Sequence, residues 1–234
     1  MLKTIGIMGG MGPLATVDLM NKIIQLTPAV NDQDHLHIIV DNYPQIPDRT
    51  SAILGKGLDP LPYMTHSAKT LEAAGAELIA IACNTAHYYL LGIQASVNIP
   101  IINMPKETVR FINESGLKSV ALLATDGTMA TKLYQESLND IGITVIEPDR
   151  IMQESVMEGI YAIKAGDLVK GKSILNHISQ IMIDQGAEAI IAGCTEIPLV
   201  LNNLEGIKLI DPSHILAQTV VDIATENTNL KNII

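Results

Sequence analysis

The sequence predicts an α/β protein made of two similar parallel-sheet domains related by pseudo-symmetry, with an active site in the cleft between them. Three observations lead to this prediction. Apolar runs of strand length alternate with longer amphipathic segments, the pattern of parallel strands joined by helices. That pattern runs twice along the 234 residues. The stretches 75–86 and 186–197 also match: each opens with Gly-Ala-Glu, continues as a small apolar strand and ends in a cysteine followed by polar residues.

Composition places the chain among globular proteins. Apolar residues make up 47% and charged residues 17%, with one Phe and no Trp, so aliphatic side chains must fill the core. A net charge of −10 would repel nucleic-acid phosphates. No apolar run reaches the length of a membrane span, and the N-terminus does not follow the pattern of a signal peptide. We expect a cytoplasmic protein with no nucleic-acid or membrane partner and no disulfide framework.

The first half begins with a strand and a Gly-rich turn, after which Pro13 suits the first turn of a helix. Two prolines predict an irregular loop over 43–50, of the kind that carries functional groups. The predicted strands and helices of this half are a strand at 3–8, a helix from Pro13, a strand at 36–40, a helix at 63–74, a strand at 78–82 that leads to Cys83, and a strand at 99–102.

The second half repeats this order. The predicted elements are a strand at 119–124, a Thr-rich turn at 125–128 with a helix through about 139, a strand at 143–146, helices at 153–165 and 168–185, a strand at 188–192 that leads to Cys194, a strand at 207–210 and a last helix at 213–225. The last helix follows the second repeat, so we expect it to return to the first domain. The predicted domains are therefore 1–104 plus 212–234, and 105–211.

Cys83 and Cys194 are the only cysteines, and both follow a predicted strand. Parallel sheets place ligand sites at the carboxyl ends of their strands. A single free cysteine is often only a small buried hydrophobe, but two at matched strand ends indicate chemistry. Two thiols on opposite sides of a small substrate could remove a proton from one face of a carbon and return it to the other. The pair therefore favours stereoinversion.

Other readings of these residues stay open. Hydrolysis would need one nucleophile with an orienting base, for which His87 is a candidate, although no histidine follows Cys194 in the same way. A metal site lacks well-spaced ligands. A thiol redox sensor or a small-acid binding module would also use two cysteines. The run Gly10-x-Gly12-x-x-Ala15 loosely matches a dinucleotide fingerprint, but Pro13 removes an N–H, so we favour a tight turn that approaches a small substrate.

Six motifs along nearly the whole chain resemble the cofactor-independent aspartate/glutamate racemase family, most closely its aspartate racemases. They are Gly9-Gly-Met-Gly-Pro13, Pro44-Gln-Ile-Pro-Asp-Arg-Thr50, Cys83-Asn-Thr-Ala-His87, Ala124-Thr-Asp-Gly-Thr128, Ile160-Tyr-Ala-Ile-Lys164 and Gly193-Cys-Thr-Glu-Ile-Pro198. The resemblance implies two α/β domains with the site between them. It also implies no pyridoxal phosphate or metal, an acidic amino acid as substrate, and a homodimer.

The resemblance also implies a role for each matching residue. Cys83 and Cys194 become the acid/base pair, with Cys83 acting on the D-enantiomer and Cys194 on the L-enantiomer. The implied substrate-binding residues are Asn84, Thr85 and Thr195 for the α-carboxylate and amino group, Met11, Thr125 and Thr128 as pocket lining, and Arg49 and Lys164 for the side-chain carboxylate. Glutamate racemases carry His where this chain has Glu196, which favours aspartate. Glutamate or broad-specificity racemisation, hydantoin racemisation, maleate isomerisation and malonate decarboxylation are the alternatives.

Overall fold

The computed structural model describes residues 2–201 and 208–225. Within these ranges the chain forms two four-stranded parallel sheets flanked by helices, which confirms the predicted fold class. The first sheet has the order β2-β1-β3-β4, and the second has the equivalent order β6-β5-β7-β8. The strands are β1 (Ile5–Gly9), β2 (Ile38–Asn42), β3 (Leu78–Ile81), β4 (Ile101–Ile102), β5 (Ser119–Ala124), β6 (Thr144–Ile146), β7 (Ala189–Gly193) and β8 (Leu209–Ile210).

Helices cover both faces of each sheet. They are α1 (Pro13–Leu26), α2 (Arg49–Ile53), α3 (Leu61–Ala73), α4 (Leu90–Gln94), α5 (Met104–Glu114), α6 (Asp126–Ala130), α7 (Gln135–Asp140), α8 (Arg150–Lys164), α9 (Leu168–Asp184) and α10 (Pro212–Ala224).

The central strands are apolar on both faces because both faces are covered. Alternate side chains of β3 enter different cores: Leu78 and Ala80 pack with Ile5 and Ile7, whereas Ile79 and Ile81 pack on the other side of the sheet. The second sheet divides its side chains in the same way. The two sheets therefore have equivalent cores, and the carboxyl ends of β3 and β7 occupy equivalent positions.

The last helix, α10, completes the core of the first sheet. Its Leu216 and Val220 belong to the same buried cluster as Ile5 and Leu19. The Lys3 N–H also donates to the carbonyl of Ala224 at 3.0 Å. The helix thus returns the end of the described chain to the strand with which it began.

The structure differs from the sequence prediction at several elements. The Pro-rich stretch is not irregular throughout: Asp48 accepts a hydrogen bond from the Ser51 N–H at 2.7 Å and caps α2, so Arg49 lies in a helix. The helix predicted to follow the Thr-rich turn is divided into α6 and α7. Helices α4 and α5 were not predicted. Of the strand predicted at 207–210, Ile207 lies outside the described residues. No described helix combines the length and the apolar character of a membrane span.

Candidate active site

Cys83 is held at the end of β3 by backbone hydrogen bonds. The Ala82 N–H donates to the Met8 carbonyl at 2.9 Å, and the Cys83 N–H donates to the Ile81 carbonyl at 2.8 Å. A 3-10 turn, Thr85–Tyr89, follows directly. Only 5% of Cys83 is exposed. The strand end and the turn therefore place the thiol at the edge of the first sheet, facing the second.

His87 supports this turn rather than the thiol. Its Nε2 accepts a hydrogen bond from the Met104 N–H at 3.2 Å, so the ring proton is on Nδ1, which donates to the Cys83 carbonyl at 2.8 Å. Burial lowers the pKa of His87 and favours the neutral ring. With both nitrogens bonded to backbone, the imidazole is not placed to act as a base on Cys83.

Cys194 occupies the equivalent position after β7, and its thiol has a charged partner. The Cys194 Sγ donates to Oε2 of Glu196 at 2.9 Å, while Oε1 of Glu196 accepts from the Gly12 N–H at 3.1 Å. Burial raises the pKa of the Cys194 thiol, and the Glu196 carboxylate raises it further. At neutral pH Cys194 therefore holds its proton and is an acid.

Both thiols line one small cavity between the sheets, which we call the thiol chamber. Its volume is about 10 Å³, close to the space needed by one water molecule. It is lined by Met11, Asp48, Arg49, Thr50, Cys83, Asn84, Thr85, Thr125, Lys164, Cys194, Thr195 and Glu196.

A larger cavity of about 480 Å³, which we call the outer cleft, shares five of these residues with the thiol chamber. The shared residues are Met11, Asp48, Arg49, Lys164 and Glu196. The rest of the outer cleft includes Pro13, Leu14, Pro44, Ile163 and Leu199, which make it largely apolar. A small molecule would thus pass from an apolar cleft, past charged groups, to the two thiols.

Three buried threonine hydroxyls join the two sheets beside the thiols. The Oγ1 of Thr85 lies 2.9 Å from both Thr125 Oγ1 and Thr128 Oγ1, and the last two are 3.2 Å apart. Gly127 packs closely here, because a Cβ on it would lie 3.0 Å from the Cα of Thr50. We call Thr85, Thr125 and Thr128 the threonine cluster.

Arg49 and Lys164 bring positive charge to the boundary between the chamber and the outer cleft. Arg49 is buried, and its Nη1 and Nη2 donate to the carbonyls of Ile46, Pro47 and Met11 at 3.1–3.3 Å. Its Nε has no hydrogen-bond partner among the described residues. Lys164 is exposed and lies over the Tyr161 ring. Desolvation acts in the opposite direction, but the Glu196 carboxylate and the Cys194 sulfur raise the pKa of Lys164.

The structure brings the residues singled out in the sequence together. Nine of the ten line the thiol chamber, and Thr128 lies one hydrogen bond behind Thr85. The sequence had not assigned Asp48, Thr50, Glu196 or Tyr134 to the site. Asp48, Thr50 and Glu196 are direct neighbours of assigned residues, a signal that could have found them. Tyr134, which bonds to Asn84, follows no motif.

The structure is of the class of α/β proteins with two equivalent sheets and a cavity between them that is lined by two thiols. Comparison with known proteins identifies the family. The sequence model of the family Asp/Glu/Hydantoin racemase matches residues 8–220. The chain is 32% identical over 225 residues to the broad specificity amino-acid racemase RacX of Bacillus subtilis strain 168, covering 93% of this chain and 96% of that protein.

Two solved structures are also similar. The aspartate racemase of Picrophilus torridus superposes with a TM-score of 0.87 at 32% identity, covering 95% of this chain and 94% of that one. An aspartate racemase homologue from Pyrococcus horikoshii OT3 gives 0.75 at 27% identity, covering 96% of this chain and all (100%) of that one. The chain belongs to the Asp/Glu/hydantoin racemase family. It is accordingly an isomerase of the amino-acid racemase type.

Proposed function

We propose that the protein interconverts L- and D-aspartate by proton transfer between two thiols, without pyridoxal phosphate or metal. The observation that carries the proposal is the placement of Cys83 and Cys194 in one buried chamber, at the equivalent ends of two sheets. Inversion requires one group to remove the Cα proton and another to deliver a proton to the opposite face. The similarity to an aspartate racemase supports the choice of substrate.

The protonated Cys194 thiol supports a defined order of events from the D-enantiomer. Cys83 is the base and takes the Cα proton of D-aspartate on its sulfur. Cys194, which holds its proton against Glu196, delivers that proton to the opposite face and becomes a thiolate. The reverse reaction starts from this second state, with Cys194 as base and Cys83 as acid. The thiols thus exchange roles in each turnover.

The charges support an acidic substrate. The Nε of Arg49 has no partner within the described ranges, and its Nη2 makes one bond to a carbonyl, so that edge of the guanidinium can still receive a carboxylate. Lys164 supplies a second positive charge across the same boundary. The Asn84 amide would hold the α-carboxylate, and Thr195 the amino group. Met11, Thr85 and Thr125 line the same chamber, and Thr128 lies behind Thr85.

The experiment measures racemisation of aspartate in deuterium oxide with no added cofactor. At early times, two-base transfer places deuterium at Cα of the product enantiomer and leaves the remaining substrate unlabelled. Cys83→Ala and Cys194→Ala are each expected to abolish racemisation while keeping the thermal melting temperature near that of the wild type. Retained racemisation in either variant would refute the proposal. Because the two enantiomers have equal free energy, kcat/KM for the L-to-D reaction must equal kcat/KM for the D-to-L reaction in every active variant. This equality is an internal check on the measured rates.

Broad-specificity racemisation is the second candidate, and the outer cleft favours it. The cleft is far larger than the thiol chamber and mostly apolar, so it could take side chains longer than that of aspartate. RacX, at 32% identity, carries that description. A panel with aspartate, glutamate, methionine and lysine separates the two: a higher kcat/KM for neutral or basic amino acids would select the second candidate.

Further expectations remain predictions to be tested. We propose domain bounds of 1–104 plus 212–234, and 105–211, supported by the packing of α10 against β1 and α1. Native-state hydrogen exchange should show the two sets of residues opening as separate units. A cytoplasmic homodimer is tested by light scattering of the purified protein and by cell fractionation.

A further inference from the structure

The buried side-chain amide of Asn84 makes a hydrogen bond through its oxygen but none through its nitrogen among the described residues. Its Oδ1 accepts a hydrogen bond from the hydroxyl of Tyr134, whereas its Nδ2 has no partner among the described residues. Only 2% of Asn84 is exposed, and the residue lines the thiol chamber directly after Cys83. Unpartnered buried N–H groups are uncommon in folded proteins and call for an explanation. These two N–H bonds are available to a molecule in the chamber.

Tyr134 determines which end of the amide is available. It lies between α6 and α7, is fully buried in the half of the molecule that contains the second sheet, and reaches Asn84 in the first half. Burial raises its pKa well above the ordinary tyrosine value, so the phenol keeps its proton. A buried hydroxyl proton needs an acceptor, and the Asn84 oxygen accepts it; the Thr108 hydroxyl, which donates to the Met104 carbonyl at 2.8 Å, also lies beside the phenol. The phenol therefore fixes Oδ1 toward itself and Nδ2 away from itself.

We propose that Tyr134 is a positioning residue: it locks the Asn84 amide so that both N–H donors of Nδ2 serve the substrate carboxylate when negative charge develops on it. The inference rests on the proposed two-thiol racemisation. Removal of the Cα proton sends charge into the adjacent carboxylate, and donors that are already oriented stabilise that charge without reorganisation. Without the phenol the amide could rotate, and its oxygen would then face the carboxylate.

The test is a double-mutant cycle of Tyr134→Phe and Asn84→Ala. Tyr134→Phe should lower kcat about 10–100-fold, somewhat less than loss of a whole donor group, with a smaller change in KM. In the Asn84→Ala background the same change should alter kcat less than about two-fold, because the group through which Tyr134 acts is gone. A tyrosine with a purely structural role would give additive losses. Tyr88→Phe, at an exposed position, is the matched control and should keep wild-type kinetics.

The outcomes separate this inference from the proposed function. Two outcomes overturn only the role of Tyr134, provided that the wild type racemises aspartate. One is an unchanged kcat in Tyr134→Phe, and the other is additive losses of kcat in the double-mutant cycle. An absence of aspartate racemisation in the wild type overturns the proposed function, and the cycle is then run on the amino acid that is turned over. If Tyr134→Phe does not fold, Asn84→Asp decides the result. It keeps an acceptor for the phenol but no donor, so a kcat within two-fold of wild type would overturn the inference.

Discussion

The threonine cluster offers a direct test of how the two sheets are held together beside the thiols. In Thr85→Val a methyl group replaces the hydroxyl at nearly constant volume, so little or no cavity is created. The change removes two buried hydrogen bonds of 2.9 Å, one to Thr125 and one to Thr128. Thr125 and Thr128 keep the contact between their hydroxyls at 3.2 Å and the hydrogen bond from the Thr128 N–H to Thr125 Oγ1, also at 3.2 Å.

The expected loss follows from those two bonds. A net contribution of about 0.5–1.5 kcal/mol for each predicts a free energy of unfolding lower by about 1–3 kcal/mol. Both bonds run between the sheets, so the loss weakens the contact between them rather than either apolar core. Because Thr85 also lines the thiol chamber, we expect KM to rise in the same variant.

The measurement is urea unfolding followed by far-ultraviolet circular dichroism. Thr70→Val is the matched control, since Thr70 is exposed and its hydroxyl donates only to the His66 carbonyl of the same helix, at 3.0 Å. We expect this control to stay within about 0.5 kcal/mol of the wild type. If Thr85→Val falls within that same range, the cluster does not hold the sheets together and the reasoning is wrong.

Three further predictions concern charge. Burial and the Glu196 carboxylate both raise the pKa of Cys194, so in Glu196→Gln the thiolate absorbance should appear at lower pH. The control Glu158→Gln changes an exposed ion pair and should leave the pH at which thiolate absorbance appears unchanged. Arg49→Lys keeps the charge but loses the planar fork, so KM for aspartate should rise about 10-fold in a racemisation assay. Burial lowers the pKa of His87, so the unfolded chain binds that proton more readily. Stability should therefore fall as the pH drops through the ordinary histidine range, and fall less in His87→Gln, as measured by urea unfolding at several pH values.

Local patterns in the sequence were sufficient to predict the sheets and the position of the thiols. Strands buried on both faces are continuous apolar runs, and the two cysteines follow two such runs at equivalent places. Once parallel strands are assumed, their carboxyl ends must meet at one edge of each sheet. That each thiol lies at the carboxyl edge of its own sheet was therefore predictable from spacing, whereas a shared chamber also required the two halves to face each other.

Partners distant in sequence were not predictable. The hydroxyl of Tyr134 meets the Asn84 amide fifty residues away, and no turn or repeat relates the two. His87 shows the opposite case: its proximity to Cys83 in sequence made it a candidate base, but a 3-10 turn directs the ring to backbone atoms. The short helix α2 was missed because Pro47 argued against a helix, although a proline just before the cap is compatible with one.

The return of α10 to the first sheet has a consequence for synthesis on the ribosome. The strands β1–β4 emerge first, but part of their shared core is supplied by Leu216 and Val220, near the end of the described chain. The sheet made second, β5–β8, takes only Ile215 of α10 into its described cores, whereas six residues of that helix enter the core of the first sheet. The half of the molecule that is translated first is therefore the half that is completed last, and until α10 arrives its apolar face is exposed to chaperones and to other nascent chains.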